Sequence, residues 1–329
     1  MIAEIEELFQ RPLHELGKVA DGMNNFVTFS INKHINYTDI CEARCPICAF
    51  SNRRIYSMSV EEVLREALIA EKFGATEVHI VGGLNPDLGI EYFEEMFRKI
   101  KEKTKMTIKA LTASEVFYYS KKEKMSVREF LSRLKEVGLS ILPGGGAEIL
   151  VDSVRKIVCP KKCSSEDWLR IMKIAHEIGL KSNATMLFGH VEKIRHRAQH
   201  LYKIRKIQDK TNGFLAFVPL PFHPENTKFN LKPSVEDVLK TIAVSRIVLN
   251  NFKGIKAYWV MLGESLASIA LRYGANDLDG TVMGEKIAHS AGAKTPEQLE
   301  VERLLKIAKS SGKRVAQRDS MHNFLRWFD

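Results

Sequence analysis

Cys41-Glu42-Ala43-Arg44-Cys45-Pro46-Ile47-Cys48 puts three cysteines at C-x3-C-x2-C spacing on one short loop, directly after a strand-like run. Thiolates are the preferred protein ligands of iron–sulfur clusters, and three on a tight loop can hold three irons of a cubic [4Fe–4S] cluster. The fourth iron then lacks a protein ligand and can bind a small molecule and pass it an electron, much as catalytic zinc sites keep one position open. Structural zinc uses four ligands, usually as two spaced pairs, and no second C-x2-C occurs. A disulfide would strand the third thiol, and nothing else in the chain points to an oxidising compartment.

Around that loop a pattern repeats to the end of the chain: a short apolar run, a loop with Gly, Asn or Pro, then a helical period. The strand candidates are Phe26–Ile31, Glu77–Val81, Thr107–Leu111, Leu139–Leu142, Ser182–Leu187, Phe214–Pro219, Ile255–Met261 and Asn276–Thr281. Helices are expected over Val60–Phe73, Ile90–Lys103, Val127–Val137, Ser165–Ile178, Arg195–Lys210 and Val235–Asn251. Ser59, Ser126 and Ser234 each precede a carboxylate by three residues, a helix-start signature, and Thr295-Pro296 places Pro at a first helical turn. Strand–helix alternation without a Pro/Gly/Ser linker argues for parallel strands in one domain. An open doubly wound sheet would give the same alternation, but no G-x-G-x-x-G follows the first strand. Barrel enzymes carry their chemistry at the C-terminal ends of strands, where each informative segment here lies. The expected fold is therefore α/β, a (β/α)8 TIM-type barrel over residues 26–329 that includes C-terminal helices. An N-terminal helical extension over residues 1–25, with one helix in residues 1–23, precedes it.

With 329 residues the chain can bury a substantial core, and 45% hydrophobic with 27% charged residues is ordinary for a globular protein. The formal charge of +10 is spread over amphipathic segments and no nucleic-acid motif appears. A solvated basic surface is the simplest reading, and attraction of an anionic substrate or an acidic electron donor is the functional one. The acidic, amphipathic start Met1-Ile2-Ala3-Glu4-Ile5-Glu6-Glu7 is neither a secretion signal nor a transit peptide, and no apolar run is long enough to span a bilayer. A cytoplasmic protein is expected, with Cys159 and Cys163 as free thiols rather than ligands of a second cluster.

Three further strand ends stand out. Gly82-Gly83 follows the second candidate strand, where paired glycines allow a close approach to the backbone. Pro143-Gly144-Gly145-Gly146-Ala147-Glu148 follows the fourth and leads to one carboxylate; Arg155 lies seven residues on. Asn183 and Thr185 alternate along the fifth strand toward a shared interior. After the sixth, Phe222-His223-Pro224-Glu225-Asn226-Thr227 holds a His between prolines in a rigid loop that can present donors to an anion. His79 and His176, within apolar patterns, read as core or helix-surface residues.

The C-x3-C-x2-C spacing resembles that of the radical S-adenosylmethionine (SAM) enzymes. There the open iron chelates the amino and carboxylate groups of SAM, and reductive cleavage releases methionine and a 5′-deoxyadenosyl radical. By that resemblance Cys41, Cys45 and Cys48 are the cluster ligands, the Phe50 backbone meets the adenine, and Gly82 and Gly83 meet the SAM amino group. Glu148 then has a ribose hydroxyl or the SAM ammonium as a partner. Arg155 is either a mate for the SAM carboxylate or a surface arginine on a short helix.

Gly82-Gly83-Leu84-Asn85-Pro86-Asp87-Leu88, Pro143 to Glu148 and Gly189-His190-Val191-Glu192 resemble one branch, the futalosine-pathway enzymes of menaquinone biosynthesis and their deazaflavin-forming relatives. Asn85 departs from the histidine usual there. Ser182 to Met186 and Phe222 to Thr227 look like the aminofutalosine synthases, whereas dehypoxanthine futalosine cyclases tend to carry a Gln-Pro-Gly-Asn loop. The resemblance implies SAM as co-substrate and addition of the adenosyl radical to 3-[(1-carboxyvinyl)oxy]benzoate. Rearrangement and loss of carboxylate carbon then give 6-amino-6-deoxyfutalosine. It also implies a flavodoxin or ferredoxin donor and a small anionic substrate, with Asn183, Thr185, His223 and Asn226 as substrate contacts and His223 or Asn183 as catalytic candidates. A cyclase, a deazaflavin-ring synthase, a non-enzymatic electron carrier using a fourth cysteine and an RNA-binding protein are the competing readings.

Overall fold

In the computed structural model, which describes residues 1–50 and 55–328, the run expected as the first barrel strand splits in two. β1 (Phe26–Ser30) is apolar and buried but belongs to a side sheet, while β2 (Asn32–Asn36), with buried Asn32, His34 and Asn36, begins the barrel. β3 (Glu77–Val81), β4 (Thr107–Ala110), β5 (Leu139–Leu142), β6 (Lys181–Phe188), β7 (Phe214–Pro221) and β8 (Gly254–Ile255) follow in chain order in one parallel seven-stranded sheet. β8 is far shorter than the expected 255–261, because the chain turns inward at Lys256 and becomes helical at Trp259.

β9 (Asp277–Gly280) fills the last slot of the ring. Lys256 bridges Asp277, the Ala257 N–H donates to the Asp277 carbonyl at 2.7 Å, and on the other side the His34 N–H donates to the Val282 carbonyl at 2.7 Å. β9 also pairs with β1, so the segment from Phe26 to Asn36 passes from one sheet into the other and joins them.

The crossovers form the outer layer: α3 (Val60–Lys72), α4 (Ile90–Lys103), α5 (Ala113–Lys122), α6 (Val127–Glu136), α7 (Asp152–Val158), α8 (Ser165–Glu177), α9 (Ile194–Thr211) and α10 (Val235–Val248). Ser59, Ser126 and Ser234 each accept the backbone N–H three residues on, as their spacing predicts, and such caps are each worth about 1 kcal/mol. Phe93 and Phe97 of α4 and Phe130 of α6 are fully buried against the strands, and truncating such a residue to Ala costs about 3–5 kcal/mol.

The N-terminal extension holds two helices rather than one. α1 (Ile2–Gln10) and α2 (Leu13–Asp21) break at Arg11-Pro12, because Pro12 has no N–H to continue the first helix and caps the second. α1 packs on α9 and α10, and α2 on α10.

The C-terminal region is not all helical. After α11 (Trp259–Leu262), α12 (Glu264–Ala270), α13 (Ile287–Ser290) and α14 (Val301–Lys309), the chain ends in a hairpin of β10 (Arg314–Arg318) and β11 (Phe324–Phe328). β10 runs parallel to β1, giving the side-sheet order β11-β10-β1-β9. Thr295-Pro296 starts no helix; α14 begins six residues after Thr295, capped at Glu300.

Candidate functional site

The cysteine loop leaves the C-terminal end of β2 and closes over the barrel mouth. It is pinned by the Glu42 N–H to the Leu84 carbonyl (3.0 Å) and by the Lys228 N–H to the Pro46 carbonyl (2.9 Å), which tie it to the segments after β3 and β7. Cys41, Cys45 and Cys48 all border one cavity of about 310 Å³ that runs into the barrel, a volume suited to a small-molecule ligand. None of the three is in a disulfide.

Among the described residues no three His, Cys, Asp or Glu side chains converge on a point that would hold a single metal ion. A cube presents separate irons to separate thiolates, so this donor set suits a cluster and not mononuclear zinc. Burial pushes the Cys45 thiol up to about 12 against the opposing pull of Lys162, and burial raises Cys48 too; ligation replaces the proton each would otherwise keep.

The glycine-rich strand ends serve this mouth by close packing. A Cβ on Gly83 would stand 2.2 Å from the Ile40 carbonyl oxygen and 2.9 Å from Cys41 Cβ, so only glycine lets the β3 end lie against the cysteine loop. Gly144, at φ +85°, lies so close to β6 that a Cβ would meet the Asn183 carbonyl oxygen at 2.2 Å. The Gly82 N–H donates to Glu115 Oε1 (3.1 Å) and the Gly83 N–H to the Thr38 carbonyl (3.0 Å), so the acceptors left for an incoming ammonium at this turn are backbone carbonyls and the Glu115 carboxylate. Glu115, which sequence reading passed over, borders the cavity and also accepts from Tyr37 Oη (2.8 Å) and the Thr112 N–H (2.7 Å). Burial raises its carboxyl pKa despite these donors.

Phe50, Gly82, Gly83, Glu148, Asn183, Thr185 and His223 all border the same cavity, and Arg155 and Asn226 do not. Arg155 is buried and commits most of its guanidinium to the backbone carbonyls of Gly146, Ala147 and Cys163, tying the glycine-rich turn to the segment before α8 and away from the cavity. Asn226 donates to the Ser290 carbonyl at 2.8 Å, outside the cavity. The cation that does reach the thiols is Lys162, paired with Glu148 at 2.6 Å. It sits between Cys159 and Cys163, and that stretch was its sequence signal. Burial pushes the Glu148 carboxyl up, but Lys162 and Arg155 outweigh it and hold it below the usual carboxylate range. Cys159 and Cys163 are buried, and neither borders the main cavity.

Thr185 donates to the Gly144 carbonyl at 3.0 Å. His223 Nε2 meets the Met261 carbonyl at 2.9 Å, and burial lowers its pKa, so the neutral ring is held with one nitrogen facing the protein. His176 bridges the Ser182 and Thr211 hydroxyls at 2.7 Å each, away from the cavity.

The floor is the part that sequence reading missed. His34, His79 and Lys109 lie side by side in register across β2, β3 and β4, and Lys256 and Asp279 face them from the closing strands. His79 is therefore a cavity residue and not core filler. Its signal, a histidine between Val78 and Ile80, is indistinguishable in one sequence from a satisfied core histidine.

A family model described as the radical SAM superfamily matches residues 35–203, and one described as the CofH/MqnC C-terminal region matches residues 211–328. The chain is 38% identical over 331 residues to a 5-amino-6-(D-ribitylamino)uracil–L-tyrosine 4-hydroxyphenyl transferase of Archaeoglobus fulgidus, covering 98% of this chain and 96% of that one. It is 37% identical over 308 residues to an aminodeoxyfutalosine synthase of Thermus thermophilus, covering 90% and 82%. The crystal structure of methylornithine synthase superposes with a TM-score of 0.76 at 18% identity over 95% of this chain and 93% of that one, which shows the shared barrel fold.

Proposed function

This chain belongs to the radical SAM superfamily, and from that premise we propose that it acts as an aminodeoxyfutalosine synthase. In this reading it joins the 5′-deoxyadenosyl group of SAM to the enol-ether double bond of 3-[(1-carboxyvinyl)oxy]benzoate. Rearrangement and loss of carboxylate carbon give 6-amino-6-deoxyfutalosine and methionine. The superfamily uses SAM and a [4Fe–4S] cluster, which together supply the adenosyl radical.

The observation that carries this reading is the single cavity with the three thiols at its mouth, the Ser182 to Met186 strand on its wall and His223 of the Phe222 to Thr227 loop beside them. Cys41, Cys45 and Cys48 would hold the cluster. The Gly82-Gly83 turn, with the Glu115 carboxylate beside it, receives the SAM ammonium, Phe50 borders the adenine, and Lys162, not Arg155, is the cation placed to meet the SAM carboxylate. Glu148 accepts from the ribose. Leu187, Val218, Leu220 and Met261 make the adjoining wall apolar, which keeps water from a reactive radical.

Exposed Arg44, Lys121, Lys122 and Lys161 surround the cysteine loop, a basic rim that favours docking of an acidic one-electron donor such as a flavodoxin or ferredoxin. Among the described residues no helix is long and apolar enough to cross a membrane.

A second reading, the 4-hydroxyphenyl transferase, is favoured by the charge balance of the cavity. Lys109, Lys162 and Lys256 are each already paired with a carboxylate, so no surplus cation awaits a dicarboxylate. Product mass analysis separates the two. The reconstituted, reduced protein is incubated with SAM and either the enolpyruvyl benzoate or 5-amino-6-(D-ribitylamino)uracil with tyrosine. An adenosyl adduct from the first supports the synthase; a coupled uracil product without an adenosyl group supports the transferase.

A further inference from the structure

Three buried ion pairs underlie the cavity floor and leave it without surplus charge: Glu77 with Lys109, Asp279 with Lys256, and Asp277 with Arg318. Above them the His34 and His79 rings stand 4.3 Å apart with their planes at 54°, both bordering the cavity. His34 is buried, and its Nε2 has no hydrogen-bond partner among the described residues. Its nearest polar neighbour, Asp279 Oδ2 at 3.5 Å, is also approached by the Asn32 amide. The His79 side chain makes no hydrogen bond among the described residues.

The other groups facing this pair are committed. Tyr258 stacks beside His34 with ring centres 6.4 Å apart, Glu285 caps the N–H groups of Ile287 and Ala288, and His322 lies half-buried near Gly254. The His34 Nε2 is occluded beside Asp279, and the half-buried His79 ring, without a hydrogen bond, is open to a ligand that enters the cavity both rings border.

We propose that His34 and His79 form the subsite for the substrate's aryl carboxylate, and that His79 takes up a proton as that carboxylate arrives. The identity of the ligand rests on the proposed synthase reaction; the subsite itself does not. A carboxylate entering a charge-balanced buried layer would be an uncompensated anion. Burial, with His34, Lys109 and Lys256 adding to it against Asp279, holds His79 neutral before the ligand comes, and an adjacent carboxylate reverses that balance. Anchored at the floor, the substrate directs its other end toward the cysteine loop, where the adenosyl group is released.

The test is calorimetric titration of the reconstituted enzyme with 3-hydroxybenzoate, which keeps the aryl carboxylate and lacks the vinyl group. It is run at pH 8 in two buffers of different ionisation enthalpy. The expected result is uptake of about one proton per ligand bound, with affinity falling as pH rises. His79→Gln removes the uptake, and both His79→Gln and His34→Gln weaken binding about tenfold or more. Wild-type binding without proton uptake, equal binding of 3-hydroxybenzyl alcohol, or no binding at millimolar concentration overturns the proposal. These wild-type readouts hold even if a variant does not fold. Proton-coupled binding without an adenosyl adduct from the enolpyruvyl benzoate leaves the subsite standing and removes the synthase; an adduct without proton uptake does the reverse.

Discussion

At the mouth of the cavity the working groups are neighbours in sequence: three cysteines within one loop, and glycine pairs and triplets at two strand ends. At the floor, His34, His79, Lys109, Lys256 and Asp279 come one apiece from separate segments and meet only because a barrel closes. The mouth is built from backbone approach, with Gly83 admitting Ile40 and Gly144 admitting β6. The floor is built from side-chain charge, every cation matched by an anion. The difference is one of failure modes. In the proposed reading the mouth would lose its cluster outright when one ligand goes, whereas the floor loses stability by the free energy of a buried charge left alone.

The largest effect belongs to the mouth. Cys41→Ala, Cys45→Ala and Cys48→Ala each leave the anaerobically reconstituted protein without bound iron and sulfide, while Cys159→Ala and Cys163→Ala retain both, as chemical iron and sulfide assays will show. Cluster loss on changing Cys159 or Cys163 would instead favour an electron carrier with a fourth protein ligand.

At the floor, Arg318→Met strands the Asp277 carboxylate in the interior and lowers unfolding free energy by about 3–5 kcal/mol in a denaturant titration. Adding Asp277→Leu restores part of it, because removing both charges is milder than removing one. Gly83→Ala tests whether the mouth is as unforgiving in shape as in chemistry: the Cβ forces Ile40 aside and lowers stability by about 1–3 kcal/mol, with iron content falling in parallel.

His176, outside both ends, supplies a baseline for pH. Burial lowers its pKa to about 4, so the unfolded chain binds a proton that the native state refuses. Its contribution is complete above about pH 6.5 and shrinks by about 1.4 kcal/mol per unit as pH falls toward 4. His176→Asn should flatten thermal-melt midpoints across that window. Smallest is Ser59→Ala, which removes a cap from α3 and is expected to cost about 1 kcal/mol without altering iron content.

The same contrast explains what one sequence discloses. Cys41 to Cys48 and the glycine-rich turns are read directly because their chemistry depends on short spacing. Six helices between Val60 and Val248 are read to within about three residues from apolar period and serine caps, whereas α5 and α7 are not read as helices. β2 is missed because its inward residues are polar cavity groups, which erases the alternation that marks a half-buried strand. The terminal hairpin is missed because β11, at the sheet edge, keeps Phe324, Leu325 and Trp327 exposed and so shows no alternation. The place of Arg155 stays open in the sequence because proximity to a glycine-rich turn cannot tell a guanidinium that binds ligand from one that binds carbonyls; in the structure it binds carbonyls, and Lys162 is the cation on the cavity beside Glu148.

The central claim is that the three thiols hold a cluster with one iron open to SAM. Electron paramagnetic resonance of the reduced, reconstituted protein, recorded before and after addition of SAM, tests it most directly. The account predicts a reduced [4Fe–4S] signal whose g values shift when SAM binds at that iron. A signal indifferent to SAM in a protein with full iron and sulfide content would contradict it.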